Sequence, residues 1–197
     1  MAHQANAIAL SMDDLRAVAQ FAAECAQDAL EIFERVRPTD VRPRDAIEAA
    51  WAFARGGRRG RTLRDTAWAA LRAAREVEKA HADGAADRVE SDDAGAAAGA
   101  GQAARAAALA ASAAYLHPLA SADQVKHILG AAAHAARAAE LVAGDDRAVG
   151  RARIEQARQR ATPAVIEVLR RYPTAAAGGG RVGALLRELD GILRITA

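Results

Sequence analysis

Between residues 15 and 36, seven apolar positions recur at alternating spacings of three and four: Leu15, Val18, Ala22, Cys25, Ala29, Ile32 and Val36. Such spacing lines side chains along one face of an α-helix, because a helix turns through about 100° per residue. Ser11 precedes this stripe, and Asp14 follows Ser11 by three positions, as in a capping box. The pattern predicts a long amphipathic helix in which Cys25 is a core residue rather than a reactive thiol.

Proline, glycine and capping residues divide the rest of the chain into further helices. His117-Pro118 ends an alanine-rich helix, since the residue before a proline avoids the α region. Ser121 and Gln124 have the spacing of a second capping box, and Gly144 ends the helix that follows. The additional helices are expected at about residues 40–55, from 62 into the glycine-rich stretch 81–99, and at 96–116, 121–143, 146–159, 163–172 and 182–193.

Strand patterns are missing from the sequence, because no window alternates between apolar and polar residues with a period of two. The expected fold is therefore all-α, without a sheet. We predict a single domain over residues 11–197, a bundle or array of about seven or eight helices. Residues 1–10 are expected to be disordered or weakly ordered.

Alanine accounts for most of the 52% apolar content, whereas aromatic residues make up only 4%. Alanine favours helix but adds little buried area, so the helices must pack closely to gain much from burial. The few large aromatic side chains should contribute disproportionately to such a core. They are Phe21, Phe33, Trp51, Phe53 and Trp68.

Arginines cluster around one glycine-rich turn, with Asp65 as the single acid nearby. We call this cluster the arginine patch: Arg55, Arg58, Arg59, Arg61 and Arg64. It is a candidate site for an anion or an acidic partner. Elsewhere acids are interspersed with the arginines and the formal charge is only +2, which makes nucleic acid an unlikely partner. Nor is the turn a phosphate-binding loop, because Arg55 and Arg61 replace the required glycine and lysine.

Sequence signatures of catalysis are also missing. No serine stands in a Gly-x-Ser-x-Gly context, and neither a pair of Glu-x-x-His motifs nor His-Glu-x-x-His occurs. A lone cysteine provides neither a disulfide nor a thiolate metal cluster. These patterns favour a non-enzymatic protein without catalytic residues, metal or cofactor.

Three of the five histidines lie between residues 117 and 134. On a helical projection, Val125 and the alanines that follow form one apolar face, His127 and His134 lie roughly opposite, and Lys126, Arg137 and Glu140 share a narrow polar stripe. A helix with two apolar sides should be central. Its histidines then lie either in a helix–helix seam, hydrogen-bonded as buried polar groups must be, or in a ligand-binding or partner-binding pocket. Candidate pocket residues are Tyr115, His117, Gln124, His127 and His134.

The N-terminal sequence has no basic region followed by a sustained apolar core, so no signal peptide is predicted. The alanine-rich stretch at residues 103–116 is too short to cross a membrane and is interrupted by Arg105. We therefore expect a cytoplasmic protein that does not contact membranes.

Four segments together resemble the Imm-5-like immunity proteins of bacteria, in order from about Leu15 to Arg194. They are RPTDVRPRDAIEAAWAFA (37–54), DTAWAALRAARE (65–76), HPLASADQVKHILGAAAHAARAAEL (117–141) and RRYP with LLRELDGILR (170–194). The resemblance implies a small helical protein that neutralises a cognate toxin by binding it. It implies no catalytic residues, and it leaves open whether the protein forms homo-oligomers. The alternative is a small helical enzyme or ligand-binding protein that uses the histidine segment.

Overall fold

The computed structural model describes residues 7–84 and 92–195. These two ranges contain eight α-helices: α1 (Met12–Val36), α2 (Arg42–Ala54), α3 (Arg61–Gly84), α4 (Asp92–Ser112), α5 (Val125–Val142), α6 (Arg147–Arg160), α7 (Pro163–Arg170) and α8 (Gly180–Ile195). Short 3₁₀ turns, Ala113–Tyr115 and Ala122–Gln124, flank the bend between α4 and α5. Within the described ranges, β-type pairing is confined to an isolated bridge between Ala7 and Leu119. The prediction of an all-α fold with seven or eight helices is confirmed.

Helix α1 begins as its capping box predicts. The Ser11 hydroxyl accepts the Asp14 N–H at 3.0 Å, and the Asp14 carboxylate accepts the Ser11 N–H at 2.9 Å. Both bonds satisfy backbone donors that the first helical turn leaves unpaired. The predicted stripe is buried from Leu15 through Ala29 and half-buried at its C-terminal end.

Helices α1, α4 and α5 contact one another and form the centre of the fold. α4 packs against α1, α3 and α5, and α1 also contacts α2 and α7. On its other side α5 contacts α6 and α8. The last helix buries Leu185, Leu189 and Leu193 completely, so the C-terminal segment is part of the core.

Small residues allow α4 and α5 to lie very close together. A Cβ atom at Gly95 would lie 2.6 Å from the carbonyl oxygen of Leu141, and one at Gly99 would lie 3.1 Å from that of Ala138. Glycine is therefore required for this approach of the two backbones. The predicted close packing of alanine-rich helices is borne out at this contact.

Most of the large aromatic residues lie where the sequence predicts. Phe21, Phe33 and Phe53 are at most 2% exposed, and Trp51 packs partly buried against the core. The prediction for Trp68 is wrong, because this side chain is 53% exposed. On α3 the buried residues, among them Leu63, Ala70 and Val77, share one face of the helix, and Trp68 lies on another face.

Two capping predictions also need correction. The spacing of Thr62 and Asp65 predicts a helix cap at Thr62, but Thr62 lies inside α3, which begins at Arg61. The Ser121 hydroxyl accepts the Asp123 N–H at 3.3 Å, but the Gln124 side chain accepts the backbone N–H of His117 at 2.9 Å instead of that of Ser121. The second capping box is therefore only half formed, because Gln124 holds the preceding loop.

Of the segment predicted to be weakly ordered, residues 1–6 lie outside the described ranges. The Ile8 N–H donates to the carbonyl of Pro118 at 2.9 Å. Weak order over residues 1–10 and a single domain over 11–197 stay predictions.

Candidate functional site

Helix α5 is central, as its two apolar faces predict. Val125, Ile128 and Leu129 are completely buried, and neighbouring helices pack on several sides of α5. His127 and His134 lie on the side of α5 that meets α4. His134 Nδ1 forms a 2.6 Å hydrogen bond with Oε1 of Gln102, which belongs to α4. His134 thus takes the predicted seam position.

A groove of about 500 Å³ opens between α3, α4 and α5. We call it the α3–α5 groove, and its main lining residues are Trp68, Leu71, Leu109, Tyr115, His127 and His134. α4 packs against both other helices, and its small side chains leave the space that the groove occupies. His127 and His134 therefore line a largely apolar groove beside the contact between α4 and α5. Their part in a ligand-binding or partner-binding pocket stays a prediction.

Burial changes the protonation of both groove histidines. It lowers the pKa of His134 to about 4, and nearby Arg105 acts in the same direction. It also lowers the pKa of His127, with a further contribution from Lys126. Both rings are therefore neutral near pH 7, since burial disfavours the charged form. Nδ1 of His127 is buried and has no hydrogen-bond partner among the described residues.

The other two candidate pocket residues lie outside the groove. Gln124 binds the backbone of His117, whose side chain is exposed. The carbonyl of His117 accepts the Tyr172 hydroxyl at 2.8 Å. These contacts hold the loop around Pro118 in place, which gives His117 and Gln124 a role in loop conformation.

The arginine patch is brought against the groove by Tyr115. The Tyr115 hydroxyl donates to the carbonyl of Gly60 at 2.7 Å. In the opposite direction Arg59 donates to the carbonyl of Ala114 at 3.2 Å, and its guanidinium lies 5.8 Å from the centre of the Tyr115 ring. Arg64 lines the groove itself. The two candidate regions, about fifty residues apart in sequence, thus form one continuous surface.

Two residues of this surface are not predicted from the sequence as site residues. Trp68 lines the groove while remaining half-exposed. Arg105, which also lines it, forms a two-bond ion pair with Glu78, with both distances 2.7 Å. The position of Trp68 off the α3 stripe is a signal that could have identified it. No local signal exists for Arg105, because its partner lies on another helix.

A buried carboxylate on α5 contradicts the predicted polar stripe. Lys126 is exposed, but Glu140 is completely buried. Its carboxylate accepts hydrogen bonds from Arg137 on the same helix and from Arg181 on α8. Charge pairing explains this burial, since a carboxylate leaves water only when it is paired and hydrogen-bonded.

Cys25 is 3% exposed, and burial raises the pKa of its thiol to about 12. The prediction that Cys25 is a core residue is confirmed, and at neutral pH its thiol stays protonated.

Within residues 7–84 and 92–195, no group of three or more histidine, cysteine, aspartate or glutamate side chains could hold a metal ion. Among the helices of the same ranges, none is long and apolar enough to span a bilayer.

Comparison with known protein families places the chain. The model of the family described as "Imm-5 like putative immunity protein" matches residues 9–163, which is more than three quarters of the chain. No curated protein and no solved structure matches the chain. The matched region covers α1 to α6 and includes the α3–α5 groove and the arginine patch. The chain therefore belongs to the Imm-5-like immunity protein family.

Proposed function

We propose that this protein neutralises a bacterial toxin by binding it directly, without catalysis, in the cytoplasm of the cell that makes it. The observation that carries the proposal is the family match over α1 to α6. An exposed tryptophan beside a cluster of arginines supports a binding role, because tryptophan, tyrosine and arginine are the residues most enriched at energetically important interface positions.

Co-expression with the toxin encoded by a neighbouring gene tests this proposal. Cells that produce both proteins should grow, and the two proteins should co-purify as a complex. An empty vector and an inactive toxin variant are the controls. Continued killing in the presence of the folded protein would contradict the proposal.

A titration distinguishes binding from catalysis. Purified protein added to a fixed amount of toxin should inhibit toxin activity in proportion, with complete inhibition near equimolar ratio. A protein that destroys or modifies the toxin would instead protect at a small fraction of that ratio, and the extent would grow with time.

The α3–α5 groove by itself favours a second candidate function, the binding of a small ligand. Its volume of about 500 Å³ falls in the usual range for small-molecule sites, roughly 300–1,000 Å³, and its lining is mainly apolar. Thermal-shift screening with small apolar and aromatic compounds tests this function. Stabilisation that is lost on filling the groove, for example with Ala108→Leu, would support it.

A further inference from the structure

The α3–α5 groove has an unusual rim. Trp68 lies at its edge with 53% of its surface exposed, which makes it the largest exposed apolar side chain of the described residues. Leu71, one helical turn further along α3, continues the apolar surface into the groove. Together they offer a site for a bulky apolar side chain from outside the protein.

Positive charge surrounds this apolar site and extends beyond it. Arg58 and Arg64 are exposed and form no ion pair within the described chain. Two further exposed arginines on α3, Arg72 and Arg75, are likewise without a carboxylate partner there. The acids of this region pair with other arginines: Asp65 with Arg61 at 3.4 Å, Glu76 with Arg42 and Glu78 with Arg105. The charge is therefore largely uncompensated from the turn along two further helical turns.

The arginine patch is held in place before any partner arrives. Tyr115 and Arg59 tie the glycine-rich turn to the 3₁₀ turn after α4 in both directions, through the carbonyls of Gly60 and Ala114. Groups that are already fixed lose less conformational entropy on binding. The turn thus presents its arginines in a defined arrangement relative to the groove.

The combination of groove and charge selects the kind of partner. A small apolar ligand would fill the groove but would leave most arginines unused. Nucleic acid would engage the arginines and stack a base on Trp68, but the polar edges of a base do not match the mainly apolar groove beside Leu71. An acidic protein segment with one large apolar residue satisfies both features, with the carboxylates on the arginines and the apolar side chain beside Trp68.

We infer that the α3–α5 groove and the arginines beside it are the toxin-binding surface, which recognises an acidic segment of the toxin that carries a bulky apolar side chain. This inference rests on the proposed function and adds to it the binding face and the chemistry of the partner.

Two substitutions test the surface in the full-length protein. Trp68→Ala removes the apolar contact, and the double change Arg64→Glu with Arg72→Glu reverses the charge. Because all three side chains are exposed, the melting temperature should stay close to that of the unchanged protein. The matched control is Arg147→Glu with Arg151→Glu, since these two arginines are exposed on α6 and neither lines the groove.

Calorimetric titration with the toxin gives the outcome. We expect Trp68→Ala to weaken binding by at least thirtyfold and the charge reversal by at least a hundredfold, while the α6 control stays within about threefold. Binding of the unchanged protein should also weaken as salt rises, and this dependence should be smaller in the charge-reversal variant.

Other results distinguish a wrong binding surface from a wrong proposed function. If the unchanged protein binds the toxin and both groove variants bind equally well, the surface assignment is wrong while the proposed function stands. Should the unchanged protein not bind the toxin at all, the proposed function fails with it. Loss of binding to a DNA or RNA oligonucleotide in the charge-reversal variant, with toxin binding intact, would also overturn the assignment.

Discussion

His127 and His134 lie seven residues apart on α5, and their ring nitrogens have different surroundings. His134 shares a hydrogen bond with Gln102, whereas Nδ1 of His127 is buried without a partner among the described residues. A buried polar atom without a hydrogen-bond partner costs about 1–3 kcal/mol of folding free energy, so the burial of Nδ1 of His127 lowers the stability of the fold.

The low pKa of His134 makes folding stability depend on pH. Its pKa is about 4 in the folded protein, below the value near 6.5 of an unfolded chain, so the unfolded state binds more protons between these values. Stability from this group is therefore complete above about pH 6.5 and is lost as the pH falls towards 4. We expect roughly 2 kcal/mol less stability at pH 5 than at pH 8 from His134 alone, with His127 acting in the same direction.

Urea unfolding between pH 5 and pH 8 measures this effect. The variant His134→Gln removes the titrating ring and retains a side chain that can bond to Gln102. Its free energy of unfolding should fall less towards pH 5 than that of the unchanged protein. Equal slopes for the two proteins would contradict the assigned protonation of His134.

For single residues, the sequence predicts on which face of a helix a side chain lies better than it predicts what surrounds that side chain. The helical projection correctly places His127 and His134 away from Val125. It assigns Glu140 to solvent, because the compensating Arg181 lies on α8 and no local pattern connects the two positions. Trp68 is misassigned because aromatic content alone does not show which face of α3 has a partner helix.

At the scale of the helices, close approaches decide how neighbours pack. α6 meets α5 at Gly150, which is buried and lies directly against the Glu140 carboxylate. A side chain at this position would overlap that carboxylate. The contact therefore combines a helix–helix approach with a buried ion pair.

Substituting Gly150 tests the importance of this approach. Gly150→Ala should destabilise the protein by about 1–3 kcal/mol, because the new methyl group pushes Glu140 away from Arg181. Gly191→Ala is the matched control, since a Cβ atom there meets nothing within 4 Å. It should stabilise α8 by up to about 1 kcal/mol, as alanine favours helix over glycine. Chemical denaturation of both variants measures the difference, and equal effects would contradict the packing role of Gly150.

Helix boundaries are predicted well where the capping residues bond within one helical turn, and less well where a capping residue bonds to a more distant part of the chain. Ser11 and Asp14 form their capping box within one helical turn, and Gly144, with a φ of +73°, follows α5 as predicted. Gln124 is drawn to His117 instead, because the chain reverses at Pro118 and brings that N–H within reach. Contacts that depend on such a reversal are not encoded by spacing.

For the whole molecule, the C-terminal helix raises the question of where the domain ends. The family match stops at residue 163, yet α8 packs against α5 and α6 and contributes to the same buried cluster as α1. Arg181 of α8 also neutralises Glu140 in the core. These contacts support the proposal that residues 11–197 fold as one domain.

This proposal predicts one cooperative unfolding transition for the entire chain. Calorimetry and circular dichroism should give the same melting temperature, and the calorimetric and van't Hoff enthalpies should agree. Arg181→Met should lower the free energy of unfolding by at least about 2 kcal/mol, because it removes a partner of a buried carboxylate. Arg147→Met, at an exposed position on α6 with no ion pair in the described chain, should change it by less than about 0.5 kcal/mol. Two separate transitions, or an Arg181→Met variant that loses stability only in a minor early transition, would mean that α8 unfolds independently of the core.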